Sequence, residues 1–140
     1  MVDTVVVHSD GASRGNPGPA AIAYAIFDER GSLLEEGAKC VGRRTNNEAE
    51  YEALLWAMER ARRHMPRTAR FRCDSELVVR QVKGIYKVRK ERLKPLLERV
   101  LAMARSFENF EIVHVRRDDR GAVHVDALAN GALDEAGRVG

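Results

Sequence analysis

The chain first changes its hydrophobic period at Thr45-Asn46-Asn47-Glu48, and no other feature limits its fold as much. Upstream, residues 4–9 are rich in β-branched side chains and run into Asp10-Gly11, a common turn pair. Residues 15–19, Gly-Asn-Pro-Gly-Pro, are dense in turn formers, and residues 20–27 and 33–41 follow, separated by Asp28-Glu29-Arg30-Gly31. This spacing predicts three strands in an antiparallel meander. At the change of period, Thr45 and Glu48 fit a capping box, and helix formers continue unbroken to about residue 64, before Pro66. Beyond it, strands over 69–73 and 110–115 alternate with helices over 75–82, 91–106 and 125–136, as parallel βαβ units do. The prediction is an α/β three-layer domain with a mixed five-stranded sheet, a single unit over residues 1–140.

Composition excludes several classes. With 44% hydrophobic and 32% charged residues, disordered, collagen-like and coiled-coil chains are ruled out. Nowhere do eighteen apolar residues run together, and the acidic start MVDTVVVHSD lacks the basic opening of a signal peptide, so a cytoplasmic protein without a membrane span is expected. Cys40 and Cys73 have neither zinc-site nor disulfide-framework spacing and are expected to be small packing residues in a reducing compartment. Twenty-four Lys and Arg against 21 acidic residues leave +3, compatible with a polyanionic partner where the charge clusters. It does cluster, because Lys83, Lys87, Arg89, Lys90, Arg92 and Lys94 crowd around Tyr86, which suits a nucleic-acid backbone as well as a solvated helix face.

Four carboxylates stand where an α/β sheet assembles its sites. Asp10 ends the first predicted strand, Asp74 ends the fourth, Glu50 lies early in the long helix and Asp126 at the start of the last one. Converging carboxylates repel unless cations neutralise them, and oxygen-only ligation favours Mg²⁺ or Mn²⁺, the arrangement of a two-metal phosphodiester hydrolase. Ordinary readings compete: Asp10-Gly11 as a turn, Asp74-Ser75 as a helix cap, Asp126 as an acid near a helix N-terminus. Glu50 resists such a reading, since at ~100° per residue it shares a stripe with Leu54, Ala57 and Ala61, while Glu48, Glu52 and Glu59 lie opposite. A carboxylate on a buried stripe needs a partner or a metal.

Taken with their order, residues 10–19 (DGASRGNPGP), 45–50 (TNNEAE), 73–75 (CDS) and 126–130 (DALAN) resemble type 1 ribonuclease H, over nearly the whole chain. The resemblance implies a sheet of strand order 3-2-1-4-5 with strand 2 antiparallel. It implies an endonuclease that cuts the RNA strand of an RNA/DNA hybrid to leave 5′-phosphate and 3′-hydroxyl ends, with Asp10, Glu50, Asp74 and Asp126 holding two Mg²⁺ ions. Gly11, Ala12, Ser13, Asn16, Asn46, Asn47 and Glu76 match positions that contact the substrate, including the 2′-hydroxyl that distinguishes RNA. Arg43 and Thr45 match a pocket for a phosphate of the DNA strand, which a helix N-terminus flanked by arginines would suit physically.

The chain also departs from the family pattern. Too few residues separate Val82 from Glu91 for the basic protrusion of larger relatives, and no hybrid-binding domain is expected before Met1. The loop before the last helix lacks the histidine that helps release product. Arg116, Arg117, Asp118 and Arg120 are stand-ins, His124 is too near Asp126 to take the role, and His8, His64 and His114 are expected to be structural. Two alternatives remain at this stage, a nuclease of the same fold acting on double-stranded RNA and a non-catalytic nucleic-acid-binding module. A monomer without an obligate protein partner is expected.

Overall fold

The computed structural model describes residues 2–139, in the order β1 (Thr4–Ser13), β2 (Gly18–Asp28), β3 (Leu33–Arg44), α1 (Asn46–Arg62), β4 (Thr68–Cys73), α2 (Glu76–Val82), a 3₁₀ turn over Glu91–Leu93, α3 (Lys94–Ala104), β5 (Asn109–His114) and α4 (Arg120–Val139). The five strands form one sheet in the order β3-β2-β1-β4-β5. β2 is antiparallel to both neighbours, whereas β4 is parallel to β1 and to β5. The mixed sheet and its order agree with the sequence reading.

Each face carries a different core because β1 alternates. Val5 and Val7 project into a layer of large side chains with Tyr51, Leu54 and Met58 of α1 and Phe71 of β4. Burying one such side chain contributes roughly 1.5–3 kcal/mol. The opposite face is thinner, with Ala21, Ala23 and Ala25 of β2 against Val125, Ala129 and Leu133 of α4. Small residues there let α4 lie close to β1 and β2.

The capping box forms as expected: Glu48 N–H donates to Thr45 Oγ1 (3.2 Å) and Thr45 N–H to Glu48 Oε1 (2.9 Å). Other boundaries move. β1 does not turn at Asp10-Gly11 but continues to Ser13, paired through Asp10–Ala23 and Ser13–Ala20. The reason is tertiary, since a Cβ on Gly11 would stand 2.2 Å from the Ala49 carbonyl, so this glycine admits α1 against the strand. α4 begins at Arg120, five residues before the predicted 125, because Asp119 Oδ2 accepts from Gly121 N–H (3.0 Å) and Ala122 N–H (3.2 Å) and caps it. Asp126 therefore sits in the second turn of α4. Cys73 is buried as expected, but Cys40 is exposed on the edge strand β3. No described helix is long and apolar enough to cross a membrane.

Candidate active site

β1 and β4 run parallel with Ser9 opposite Cys73, so Asp10 and Asp74, the next residue on each, emerge side by side. Glu50 arrives from the second turn of α1, which lies against Gly11, and its Oε1 accepts from Gly11 N–H at 2.7 Å. Ser75, not Asp74, caps α2, with Ser75 Oγ accepting from Val78 N–H (3.3 Å), which leaves the Asp74 carboxylate available. Asp10, Glu50 and Asp74 each offer a ligand oxygen within 4.8 Å of the others. Asp126 faces the same cavity from α4, outside that 4.8 Å set, with its Oδ1 held by Asn130 Nδ2 at 3.2 Å. α4 itself is fixed by Arg14, whose Nη2 meets Asp134 Oδ1 at 2.6 Å, and by Gly121, packed so closely on His8 that a Cβ would fall 2.0 Å from its Cε1.

The cavity is strongly charged. Asp10 is 6% and Glu50 8% exposed. Burial, then the Asp74 carboxylate, pushes Asp10 up to about 7. Glu50 is raised well above the ordinary range, by burial and then by Asp10 and Asp74. Asp74 is raised as well, chiefly by burial, with Arg117 pulling the other way. Asp10 Oδ2 is buried without a hydrogen-bond partner among the described residues. An orphaned carboxylate oxygen beside two more carboxylates fits a hard divalent cation. Cys73 is not part of the 4.8 Å set, and burial pushes its thiol up to about 12.

The other predicted residues divide between three places. Gly11, Ala12, Ser13, Asn46 and Glu76 line the carboxylate cavity, about 680 Å³ in volume. Asn16, Thr45 and Asn47 line a separate pocket of about 160 Å³ with Lys90 and Arg92, and Asn16 Oδ1 accepts from Asn46 N–H (3.0 Å). Arg43 joins neither. Successive residues of β3 face opposite sides, so Arg44 takes the α1 side and pairs with Glu52 (2.7 Å), while Arg43 lies by Leu133 and Ala136 of α4. The cations beside Thr45 come instead from the basic cluster, which the sequence marks but cannot place. His114 and Arg117 also line the carboxylate cavity. Arg117 is one of the predicted loop stand-ins, and His114 is not the packed residue expected of a strand but an exposed one at the end of β5.

Known proteins resemble the chain at both levels. A family model described as reverse transcriptase-like matches residues 8–132. The Ribonuclease HI of Halobacterium salinarum is 39% identical over 94% of the chain, which spans 65% of that relative's length. The crystal structure of RNase H1 from the same archaeon superimposes with a TM-score of 0.90 at 39% identity, covering 94% of this chain and 98% of that one. LC11-RNase H1, solved in complex with RNA/DNA hybrid, gives 0.87 at 38% identity, covering 94% and 98%.

Proposed function

The chain belongs to the ribonuclease H family, and from that premise we propose that it is a metal-dependent endonuclease that hydrolyses the RNA strand of RNA/DNA hybrids. The observation that carries the reading is the meeting of Asp10, Glu50 and Asp74 within 4.8 Å around an orphaned Asp10 oxygen. These three would hold the cations with Asp126 completing the set, and Mg²⁺ is the first choice, Mn²⁺ the second, for an all-oxygen site. Two such ions supply a hydroxide nucleophile from water and charge compensation at the leaving 3′ oxygen.

The protein's own part is placement. Glu50, fixed by Gly11 N–H, brings its carboxylate to β1 beside Asp10, and Asp74 follows the last residue of the parallel strand β4. Gly11, Ala12, Ser13, Asn46 and Glu76 form the wall over which the RNA strand would lie, where polar groups can recognise a 2′-hydroxyl. Asn16, Thr45 and Asn47, with Lys90 and Arg92, would receive a phosphate of the DNA strand, and Arg43 would contribute only to the surrounding field. Lys83, Lys87, Arg89 and Lys90, all exposed beside exposed Ile85 and Tyr86, would extend the contact where no protrusion is inserted. Products would carry 5′-phosphate and 3′-hydroxyl ends, and the protein would act as a cytoplasmic monomer.

The test is cleavage of one sequence presented as RNA/DNA hybrid, RNA duplex, DNA duplex and single-stranded RNA, with Mg²⁺ or Mn²⁺. Cleavage confined to the RNA strand of the hybrid supports the reading. Equal cleavage of the RNA duplex would redirect it to double-stranded RNA, and binding without any cleavage would leave a non-catalytic module.

A further inference from the structure

Three of the four histidines are matched to a carboxylate. His64 Nε2 lies 2.9 Å from Glu35, His124 Nε2 lies 2.7 Å from Glu36, and the more deeply buried His8 has Nδ1 3.7 Å from Asp119. His114 is the exception. Among the described residues it has no carboxylate within the ion-pair limit of 4.0 Å and no side-chain hydrogen bond, and it is exposed at the C-terminal end of β5. It is also the one histidine that lines the carboxylate cavity.

Its surroundings say what it could receive. The cavity wall carries five acidic side chains, Asp10, Glu50, Asp74, Glu76 and Asp126, and two basic ones, His114 and Arg117. Arg117 has no ion pair among the described residues, whereas its neighbour Arg116 is taken by Asp118 at 3.4 Å. His114 is not part of the 4.8 Å carboxylate set, so its donors are not committed to that ion site. A donor with no internal partner, facing a cavity whose charged lining is mostly acidic, is suited to an incoming anion that bound cations draw in. The anion that reaches a two-metal carboxylate site is a phosphodiester.

We propose that His114 is a substrate-binding residue that donates a hydrogen bond to a phosphate of the RNA strand from the wall of the carboxylate cavity. This rests on the nuclease reading above and adds a contact that the four carboxylates do not make. One charge-assisted hydrogen bond at an exposed wall should be worth about a factor of ten in kcat/KM. Because the His114 side chain is exposed and makes no side-chain hydrogen bond or ion pair among the described residues, its removal should leave the fold intact.

The experiment is steady-state cleavage of an 18-base-pair RNA/DNA hybrid in Mg²⁺ by the wild-type chain, His114→Ala and His114→Lys, with melting temperatures and with kcat/KM followed against salt. The expected result is a loss of about tenfold for His114→Ala, seen mainly in KM, with the melting point held, a shallower salt dependence, and His114→Lys restored to within about threefold of wild type. His114→Ala within about twofold of wild type would overturn the role, as would Ala and Lys variants that fail equally, because a phosphate contact tolerates a different cation and a packing role does not. Wild-type protein that leaves the hybrid uncut would instead remove the nuclease reading itself, and the role of His114 with it.

Discussion

Two acidic sites on this sheet treat their charge in opposite ways. At one, Glu35 of β3 accepts from Tyr24 Oη, from Arg60 Nε at 2.5 Å and from His64 Nε2 at 2.9 Å. Burial pushes Glu35 up, but those hydrogen bonds outweigh it and hold the carboxyl below its ordinary value. At the other, Asp10, Glu50 and Asp74 are pressed together with one backbone N–H, from Gly11, between them, and all three are pushed up. The first site is complete in the folded chain and joins β3 to α1. The second is left short of positive charge, and a fold tolerates that imbalance where an outside cation supplies it. The same contrast separates the three histidines paired with a carboxylate from His114, which among the described residues has none within 4.0 Å.

The sharpest way to break the comparison is Asp74→Asn. Loss of one anionic ligand should cut hybrid cleavage by about a thousandfold, equivalent to roughly 4 kcal/mol, while hybrid binding persists in an electrophoretic shift assay. A variant that cleaves normally would show that the cavity's charge deficit serves no metal.

The two glutamates of α1 come next, since they lie two residues apart and belong to opposite types of site. Glu50→Gln should lose about a hundredfold or more in turnover, and its metal-free form should melt no lower than wild type, because one repelling charge is gone. Glu48 is held below its ordinary value first by the Thr45 backbone N–H, and Glu48→Gln should keep turnover within about threefold, as Gln also closes a capping box. Turnover rates for the pair decide the matter, and the reverse pattern would shift the register of the helix.

The pH dependence of metal-free stability follows with a definite sign. Asp10 lies near 3.8 unfolded and about 7 folded, so the folded state holds the extra proton, and the stability present below 3.8 is lost progressively as pH rises to about 7. Glu50 acts in the same direction. His8, pushed down by burial from 6.5 to about 4, acts oppositely: its contribution is present above pH 6.5 and lost as pH falls towards 4. Melting temperature without metal should therefore rise by about 5 °C between pH 8 and 6 and go on rising more gently towards pH 4.5, where His8 offsets only one of the two carboxylates. Scanning calorimetry with 5–10 mM Mg²⁺, roughly a saturating excess for such a site, should erase the rise, since bound cations keep the carboxylates ionised. A rise of equal size with metal present would place its origin elsewhere.

The smallest effect belongs to the complete site. Glu35→Gln should lower stability by about 1 kcal/mol, a few degrees in melting temperature, because the lost ion pairs are partly solvent-screened. Hybrid cleavage should stay within about twofold. A larger loss of activity would tie the β3–α1 junction to catalysis and erase the distinction between the sites.

Much of this was legible along the chain, and the misreadings share a cause. The capping box, the buried stripe carrying Glu50 and the βα alternation depend on partners within four residues, so they can be read locally. Asp10-Gly11 looked like a turn because that dipeptide commonly is one, and only the approach of Ala49 explains why the strand runs on. Arg43 was legible as a cation but not as facing α4, since a one-residue register decides which side of a strand a side chain takes. His114 looked like a strand residue to be packed, yet β5 is the edge strand and its end opens into the cavity.

What the sequence by itself determined is the kind of element at each position and the oxygen-only character of the ligand set, both written in local periodicity and residue type. Whether Asp10, Glu50 and Asp74 meet was decided by the tertiary structure. Their oxygens fall within 4.8 Å because β1 and β4 pair in parallel with Ser9 beside Cys73, and because α1 can settle against a residue without a side chain. The same packing determined which cations stand by Thr45, where α4 carries Asp126, and which histidine is left without a partner. Side chains 24 to 64 positions apart are brought together by strand pairing and helix packing, and no local pattern records that geometry.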